Sequence, residues 1–247
     1  MKGAVVVTGA GSGMGRAVAL SLLHKGRNVI LVGRRPEALE ETRALAPDPA
    51  LALVASGDLG QVEGVEAVLA RIGAQPLCGI IAAAGGQGDF KAGGSNAAAA
   101  EAAWLDALRK NLLTAILLIE AAMDRVENGG RIILIGSTAG LDGQGGPYAT
   151  AKAALHGYGR DLARRTAPRQ ITVNTIAPGF VADTEFFDAG GYGDASQMVD
   201  GAAGQTLLRD VGRSVDIVSA VEWLLGEGGR WITGQTISVN GGTILMR

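Results

Sequence analysis

The stretch Ala4-Val5-Val6-Val7-Thr8-Gly9-Ala10-Gly11-Ser12-Gly13-Met14-Gly15 decides the fold. A short apolar run passes into a glycine turn, and a helical pattern starts at Arg16. Glycines let the backbone approach a phosphate closely, and the N–H groups that open a helix point at the anion. Here Gly9, Gly13 and Gly15 are spaced Gly-x-x-x-Gly-x-Gly, which differs from the commoner Gly-x-Gly-x-x-Gly. A turn of this kind serves nucleotides, but it also occurs in methyltransferases and flavoproteins, or merely closes a tight strand-to-helix corner.

The same unit recurs to the end of the chain. Apolar runs at 28–33, 51–55, 79–83, 131–135, 171–177 and 236–239 follow the first one at 4–8. Helical stretches begin between them near Gly15, Pro36, Gln61, Glu101, Tyr148 and Ser214. Runs that are apolar throughout are strands covered on both faces. Their alternation with helices predicts an α/β fold, a Rossmann-type doubly wound parallel sheet of about seven strands. No Pro/Ser-rich linker or charge block divides the sequence, so residues 1–247 read as a single domain. The Ala-rich piece 97–103 reads as the approach to a long helix. The segment 183–208, with Phe186, Phe187, Tyr192, Met198 and several glycines but no clean period, reads as a substrate lid.

Composition narrows the function. The formal charge of −2 and a pI near 5.7 leave no broad basic surface for a nucleic-acid backbone. Only 4% of residues are aromatic although 47% are hydrophobic, so the core is expected to consist of Ala, Val, Leu and Ile. Cys78 is the sole cysteine. It rules out an internal disulfide, reads as a buried thiol and fits a reducing cytoplasm. No signal peptide or membrane span is expected. His24 and His156 lack ligand partners at metal spacing and read as solvated or packed side chains; no metal site is expected. Trp223 and Trp231 read as packing residues.

Three further signals carry chemistry. At the end of the second strand, the position where NAD-preferring folds place an acid holds Gly33, followed by Arg34 and Arg35. A guanidinium there can bind a ribose 2′-phosphate, which points to NADP(H) with NAD(H) as the alternative; solvated arginines are the plainer explanation. Asp58-Leu59 after the third strand offers a carboxylate to an adenine amino group, or a helix N-cap. Tyr148 and Lys152 stand four residues apart, on one face of a helix. A free phenol has a pKa near ~10, and an ammonium beside it favours the phenolate. A surface pair would look the same, but Ser137 follows the fifth strand, at the sheet edge where such folds place ligands.

Together these motifs resemble the short-chain dehydrogenase/reductase family, nearest its 3-oxoacyl-acyl-carrier-protein reductase-like branch. The resemblance rests on Thr8-Gly9-x-x-x-Gly13-x-Gly15, Asn111, Ser137, Tyr148-x-x-x-Lys152, Pro178-Gly179 and Val239-Asn240-Gly241-Gly242. It implies reversible carbonyl reduction with a catalytic set of Asn111, Ser137, Tyr148 and Lys152. Tyr148 would exchange a proton with the substrate oxygen, Ser137 would hydrogen-bond that oxygen, and Lys152 would lower the tyrosine pKa and hold the nicotinamide ribose. Asn111 would shape a helix distortion that holds a water of the proton relay. The cofactor shell it implies comprises Gly9, Gly11, Ser12, Gly13, Met14, Gly15, Arg34, Arg35, Asp58, Leu59, Ala83, Ala84, Gly85, Tyr148, Lys152, Pro178, Gly179, Val181 and Thr184. The substrate would be a small carbonyl compound or an acyl thioester. The assembly would be a homotetramer packed through the helices that hold Asn111 and Tyr148, with Ala115, Ile116 and Ala121 at the contact.

The chain departs from the family pattern in four places. Ala82-Ala83-Ala84-Gly85 replaces Asn-Asn-Ala-Gly, which removes an amide that ties neighbouring strands. The interval from Ser137 to Tyr148 is short. Ser12 replaces a basic residue of the glycine turn. One extra residue lies between Pro178-Gly179 and Thr184, so Asp183 competes with Thr184 for the cofactor contact, and Thr184 is expected to make it. Two rival functions fit parts of the pattern: a non-catalytic NADP(H)-binding regulatory protein, against which the Tyr, Lys, Ser and Asn set argues, and a methyltransferase, which would favour an acid where Gly33 stands.

Overall fold

A computed structural model describes residues 3–86, 96–184 and 195–245, the side chains of 195–197 apart. Among them, β1 (Ala4–Thr8), β2 (Val29–Gly33), β3 (Ala52–Ser56), β4 (Leu77–Ala82), β5 (Val126–Ile135), β6 (Thr172–Pro178) and β7 (Thr236–Val239) form one sheet. Its order is β3-β2-β1-β4-β5-β6-β7, and every pairing is parallel. The chain order reverses between β1 and β4, opening a crevice at the carboxyl edge of the strands.

Alternate residues of each strand serve opposite faces. Ala4, Val6, Ile30, Ile80, Ile132 and Val173 enter one core layer with α3 (Val62–Ile72), α5 (Thr114–Ala122) and α7 (Gly146–Thr166). Val5, Val7, Leu31, Ile81, Ile133 and Ile176 enter the other with α1 (Gly13–His24), α2 (Pro36–Ala44) and α9 (Ser214–Leu225). Cys78 is buried in the second layer. Two apolar layers around a parallel sheet are why the strand runs read apolar throughout.

Some boundaries differ from the sequence reading. β5 begins at Val126, ahead of Arg131. Val126 pairs with Leu77 and Arg131 with Gly79, so 127–130 bulge from the ladder at two glycines that look like a turn. The helix expected near Glu101 starts as α4 (Ala97–Leu108), because the Asn96 side chain accepts the Ala99 N–H at 3.0 Å. Within 183–208, residues 185–194, and with them Phe186, Phe187 and Tyr192, lie outside the described residues. The remainder contains α8 (Ala195–Gln205), a helix the sequence pattern hid. Trp223 and Trp231 are not interior packing residues: they are 46% and 89% exposed. α9 turns Ile217, Val221 and Leu224 to the sheet, which leaves Trp223 on the opposite side. Ala115 is buried in the chain's own core, and so cannot serve a contact between copies.

No described helix is long and apolar enough to cross a membrane, and no group of three or more His, Cys, Asp or Glu among the described residues could hold a metal. His24 is exposed and His156 buried, as a solvated and a packed histidine.

Candidate active site

The carboxyl ends of β1, β4, β5 and β6 bring the candidate residues together. α7 begins at Gly146 with Pro147 in its first turn, a position that needs no N–H. Tyr148 and Lys152 follow on one face, 8% and 5% exposed. The Lys152 ammonium lies 5.9 Å from the centre of the Tyr148 ring and donates to the Ile135 carbonyl at 2.9 Å. Ser137 leaves the end of β5 and hydrogen-bonds Tyr148. The turn it opens runs into the short helix α6 (Ala139–Asp142) and is anchored to β6, through Gly136 N–H to Ile176 O at 2.7 Å and Thr138 N–H to Pro178 O at 2.9 Å.

Burial governs the electrostatics. It pushes the Tyr148 phenol up to about 12, against a smaller downward pull from the Ser137 hydrogen bond. It drives the Lys152 ammonium down to about 8. The expected lowering of the tyrosine by the lysine is therefore overridden in the protein by itself: the phenol keeps its proton, and the ammonium points at a carbonyl. A neutral phenol beside a serine hydroxyl is an acid able to protonate an oxygen.

Asn111 sits in a π-type turn, Arg109–Leu113, inserted between α4 and α5. Its Nδ2 donates to Gly86 O at 2.9 Å and its Oδ1 accepts the Gly86 N–H at 3.1 Å. The distortion implied by the resemblance is present, and it clamps the irregular segment 83–86 that follows β4. A Cβ on Gly85 would lie 2.9 Å from Asn111 Oδ1 and 3.2 Å from Lys152 Nζ, so the chain passes between those two side chains only as glycine. The missing Asn-Asn pair is offset locally. Ala84 N–H donates to Thr8 Oγ1 at 2.8 Å, and the one Thr114 hydroxyl proton lies between Lys110 O at 3.1 Å and, more weakly, Ala84 O at 3.5 Å. Thr114 belongs to no motif in the sequence, and Thr8 enters there only as the residue that opens the glycine motif.

The glycine turn fits an anionic group. Gly9 and Gly13 adopt φ of +69° and +48°. A Cβ on Gly15 would strike Gly9 O at 2.3 Å, whereas one on Gly13 would meet only Thr184, at 3.6 Å. Ser12 is the N-cap of α1 without a side-chain bond, and the first turn carries no acid, so its dipole faces the crevice uncompensated. Gly11 abuts Ala38, and Met14 and Ala83 pack on the second core layer. Asp183 accepts Ser214 N–H at 2.7 Å and Ser214 Oγ–H at 3.0 Å, so it caps α9 and leaves Thr184 against the glycine turn. Val181 is buried and bridges to Gly212. Gly179 N–H donates to Val239 O at 3.0 Å, and a Cβ there would meet Asn240 at 3.0 Å. Pro178 ends β6, so the Asn240 loop closes behind it.

The remaining shell is looser. Arg34 and Arg35 are exposed. Arg35 lines a surface hollow with Arg16, Glu37, Ala38 and Glu41 that reaches none of the catalytic set. Asp58 does not cap α3, whose N-cap is Gln61; its carboxylate accepts the Gly60 N–H at 3.0 Å in a tight turn. Leu59 is a core side chain, 3% exposed, and can offer a ligand only its backbone.

Comparison with known proteins gives the family. A family model described as enoyl-(acyl carrier protein) reductase matches residues 9–243. The 3-oxoacyl-[acyl-carrier-protein] reductase FabG of Escherichia coli is 33% identical over 98% of this chain and 97% of its own. Carbonyl reductase family member 4 of Danio rerio is 29% identical over 98% of each. A crystal structure of a short-chain dehydrogenase/reductase from Brucella melitensis superposes with a TM-score of 0.88 at 25% identity, covering 99% of this chain and 98% of that one. The chain belongs to the short-chain dehydrogenase/reductase family, on its 3-oxoacyl-[acyl-carrier-protein] reductase-like branch, and is an NAD(P)-dependent oxidoreductase acting on CH–OH and C=O groups.

Proposed function

We propose that the protein reduces a ketone to a secondary alcohol with NADP(H), Tyr148 giving the proton. The observation that carries this is the hydrogen-bonded pair of the half-buried Ser137 hydroxyl and the buried Tyr148 phenol beyond the end of β5, with the phenol held protonated. A reduced nicotinamide, when bound, supplies the hydride. Ser137 and Tyr148 hold the carbonyl oxygen between two donors, and Tyr148 passes its proton to it as negative charge develops. Lys152 and Asn111 fix the floor of the site through Ile135 O and Gly86. A 3-oxoacyl thioester is the first substrate candidate, with a polyketide-like or cyclic ketone next; Phe186, Phe187, Tyr192 and Met198 in the lid 183–208 would favour an apolar chain.

NADP(H) over NAD(H) is supported by the glycine at the end of β2 and the exposed guanidinium after it. Arg34 is the stronger of the two arginines, because Arg35 shares its hollow with two carboxylates. Asp58 would meet the adenine. A cytoplasmic homotetramer completes the proposal.

The test is the loss of reduced-nicotinamide absorbance with NADPH, then NADH, against acetoacetyl thioester, cyclic diketones and aromatic ketones. Turnover with NADPH that falls by at least about a hundredfold in Tyr148→Phe, with NADPH still bound, is the expected result. Undiminished turnover in that variant would overturn the assignment.

A further inference from the structure

His156 takes no part in the site so far described, yet it continues the same face of α7 one turn beyond Lys152. Its side chain is 6% exposed. Nδ1 lies 3.1 Å from Thr236 Oγ1 on β7, while Nε2 is buried with no hydrogen-bond partner. A buried polar atom left unpaired opposes folding, and an aliphatic side chain of similar size would fill the space without that penalty. Retaining an imidazole here therefore calls for an explanation.

The ring's neighbours supply one. A Cβ built on Gly136 would lie 3.2 Å from His156 Cε1, and one on Gly140 would lie 3.1 Å from His156 Nε2. Both glycines thus abut one ring, and Ser137 stands between them. The turn is folded around the imidazole: Gly140 N–H donates to Ser137 O at 3.0 Å, and Ala139 N–H to Ser137 Oγ at 3.2 Å. The Gly140 Cα also rides directly on α7, since its Cβ would come within 2.7 Å of Ala153 N. Burial first, then the charges of Arg160 and Lys152, keep the imidazole below its ordinary pKa and hence neutral.

We propose that His156 is a positioning residue: pinned to β7 through Thr236, it is the post around which residues 136–140 close, and it sets where the Ser137 hydroxyl stands relative to Tyr148. Tyr148 and the post belong to one helix, separated by two turns or about 12 Å of rise. The distance between the two reacting hydroxyls is thereby governed by a single rigid element. The inference rests on the assignment of Ser137 and Tyr148 as the reacting pair.

The test uses the full chain, NADPH and whichever panel ketone the wild type reduces best. His156→Leu is expected to lower kcat about tenfold, with KM for NADPH within about twofold, because the glycine turn is untouched. Thr236→Val should lower kcat in the same direction, and the double variant should be no worse than the worse single, as for two residues acting through one bond. His156→Asn, which keeps a polar atom near the Nδ1 position, should recover kcat to within about threefold of wild type. Full kcat in His156→Leu, a loss confined to KM, or an Asn variant as impaired as Leu would overturn the proposal. If His156→Leu does not fold, Thr236→Val decides: an unchanged kcat overturns it. Tyr148→Phe runs alongside. An inactive Tyr148→Phe with a fully active His156→Leu removes only the positioning role, whereas an active Tyr148→Phe removes the site assignment itself.

Discussion

Lys152 is a cation placed where its own charge is expensive, and pH reveals it. Its folded pKa, about 8, lies below the ordinary 10.5. The protonated side chain thus destabilises the fold fully below pH 8, and that destabilisation fades as pH rises from about 8 to 10.5. Urea unfolding of the wild type is expected to gain roughly 3 kcal/mol across that window relative to Lys152→Met, which lacks the titration; parallel curves for the two proteins would contradict it. The rate of ketone reduction should fall as pH rises through about 8, where the ammonium is lost, measured as kcat/KM for NADPH, which reports the groups of the free enzyme. Arg34 makes a second residue-scale prediction. Arg34→Ala should raise KM for NADPH by roughly ten- to a hundredfold and leave KM for NADH nearly unchanged, the loss of one charge-assisted bond to a phosphate. At this scale the sequence was legible for Tyr148, Lys152, Ser137 and the glycines, because their spacing carries the chemistry. It was mute about the hydrogen bonds of Thr8, Thr114 and Asp183, whose partners are distant in sequence. His156 left one trace: Tyr148, Lys152 and His156 recur at intervals of four.

Among the elements, α9 and the segment after β6 depend on each other. Asp183 supplies the cap that Ser214 N–H needs, and holding Asp183 there lays Thr184 on the glycine turn. Asp183→Ala should lose about 1 kcal/mol of stability, read from thermal unfolding, and weaken NADPH binding by fluorescence titration although it touches no ligand. Unchanged binding would show that Thr184 is held by other means. Strand positions were readable because both sheet faces are buried, which leaves long apolar runs in the sequence. Helix starts were less so: Asn96 caps α4 through Ala99, a signal lost within a run of alanines. The bulge at 127–130 was masked by Gly129 and Gly130, which look like a turn from sequence alone.

Over the whole molecule, the outer face formed by α5 and α7 carries a connected set of charges. Arg165 binds Glu120 and Asp161, Tyr158 donates to Glu120 at 3.0 Å, and the Arg165 hydrogen bond holds the Glu120 carboxyl below its usual range. Exposed pairs of this kind add little to a lone chain, and the exposed Ala121 lies next to them. If this face joins copies, light scattering should give a mass close to four times 25.1 kDa, and Ala121→Arg should reduce it; an undiminished mass in the variant would place the contact elsewhere. Fold class was legible at this scale from strand-helix alternation alone, whereas the surfaces between copies leave no period to read. The turn between Ser137 and Tyr148 has a further consequence. Gly143, Gly145 and Gly146 adopt φ of +77°, +122° and +55°, and a Cβ on Gly143 or Gly146 would meet nothing within 4 Å. Both ends of this segment are moored, by β6 and by α7, while Asp142, Gly143 and Gln144 between them are exposed. It is a natural cassette: the three glycines must stay glycine, because their positive φ strains any other residue, but residues can be inserted between them at small entropic cost while Ser137 and Tyr148 keep their moorings.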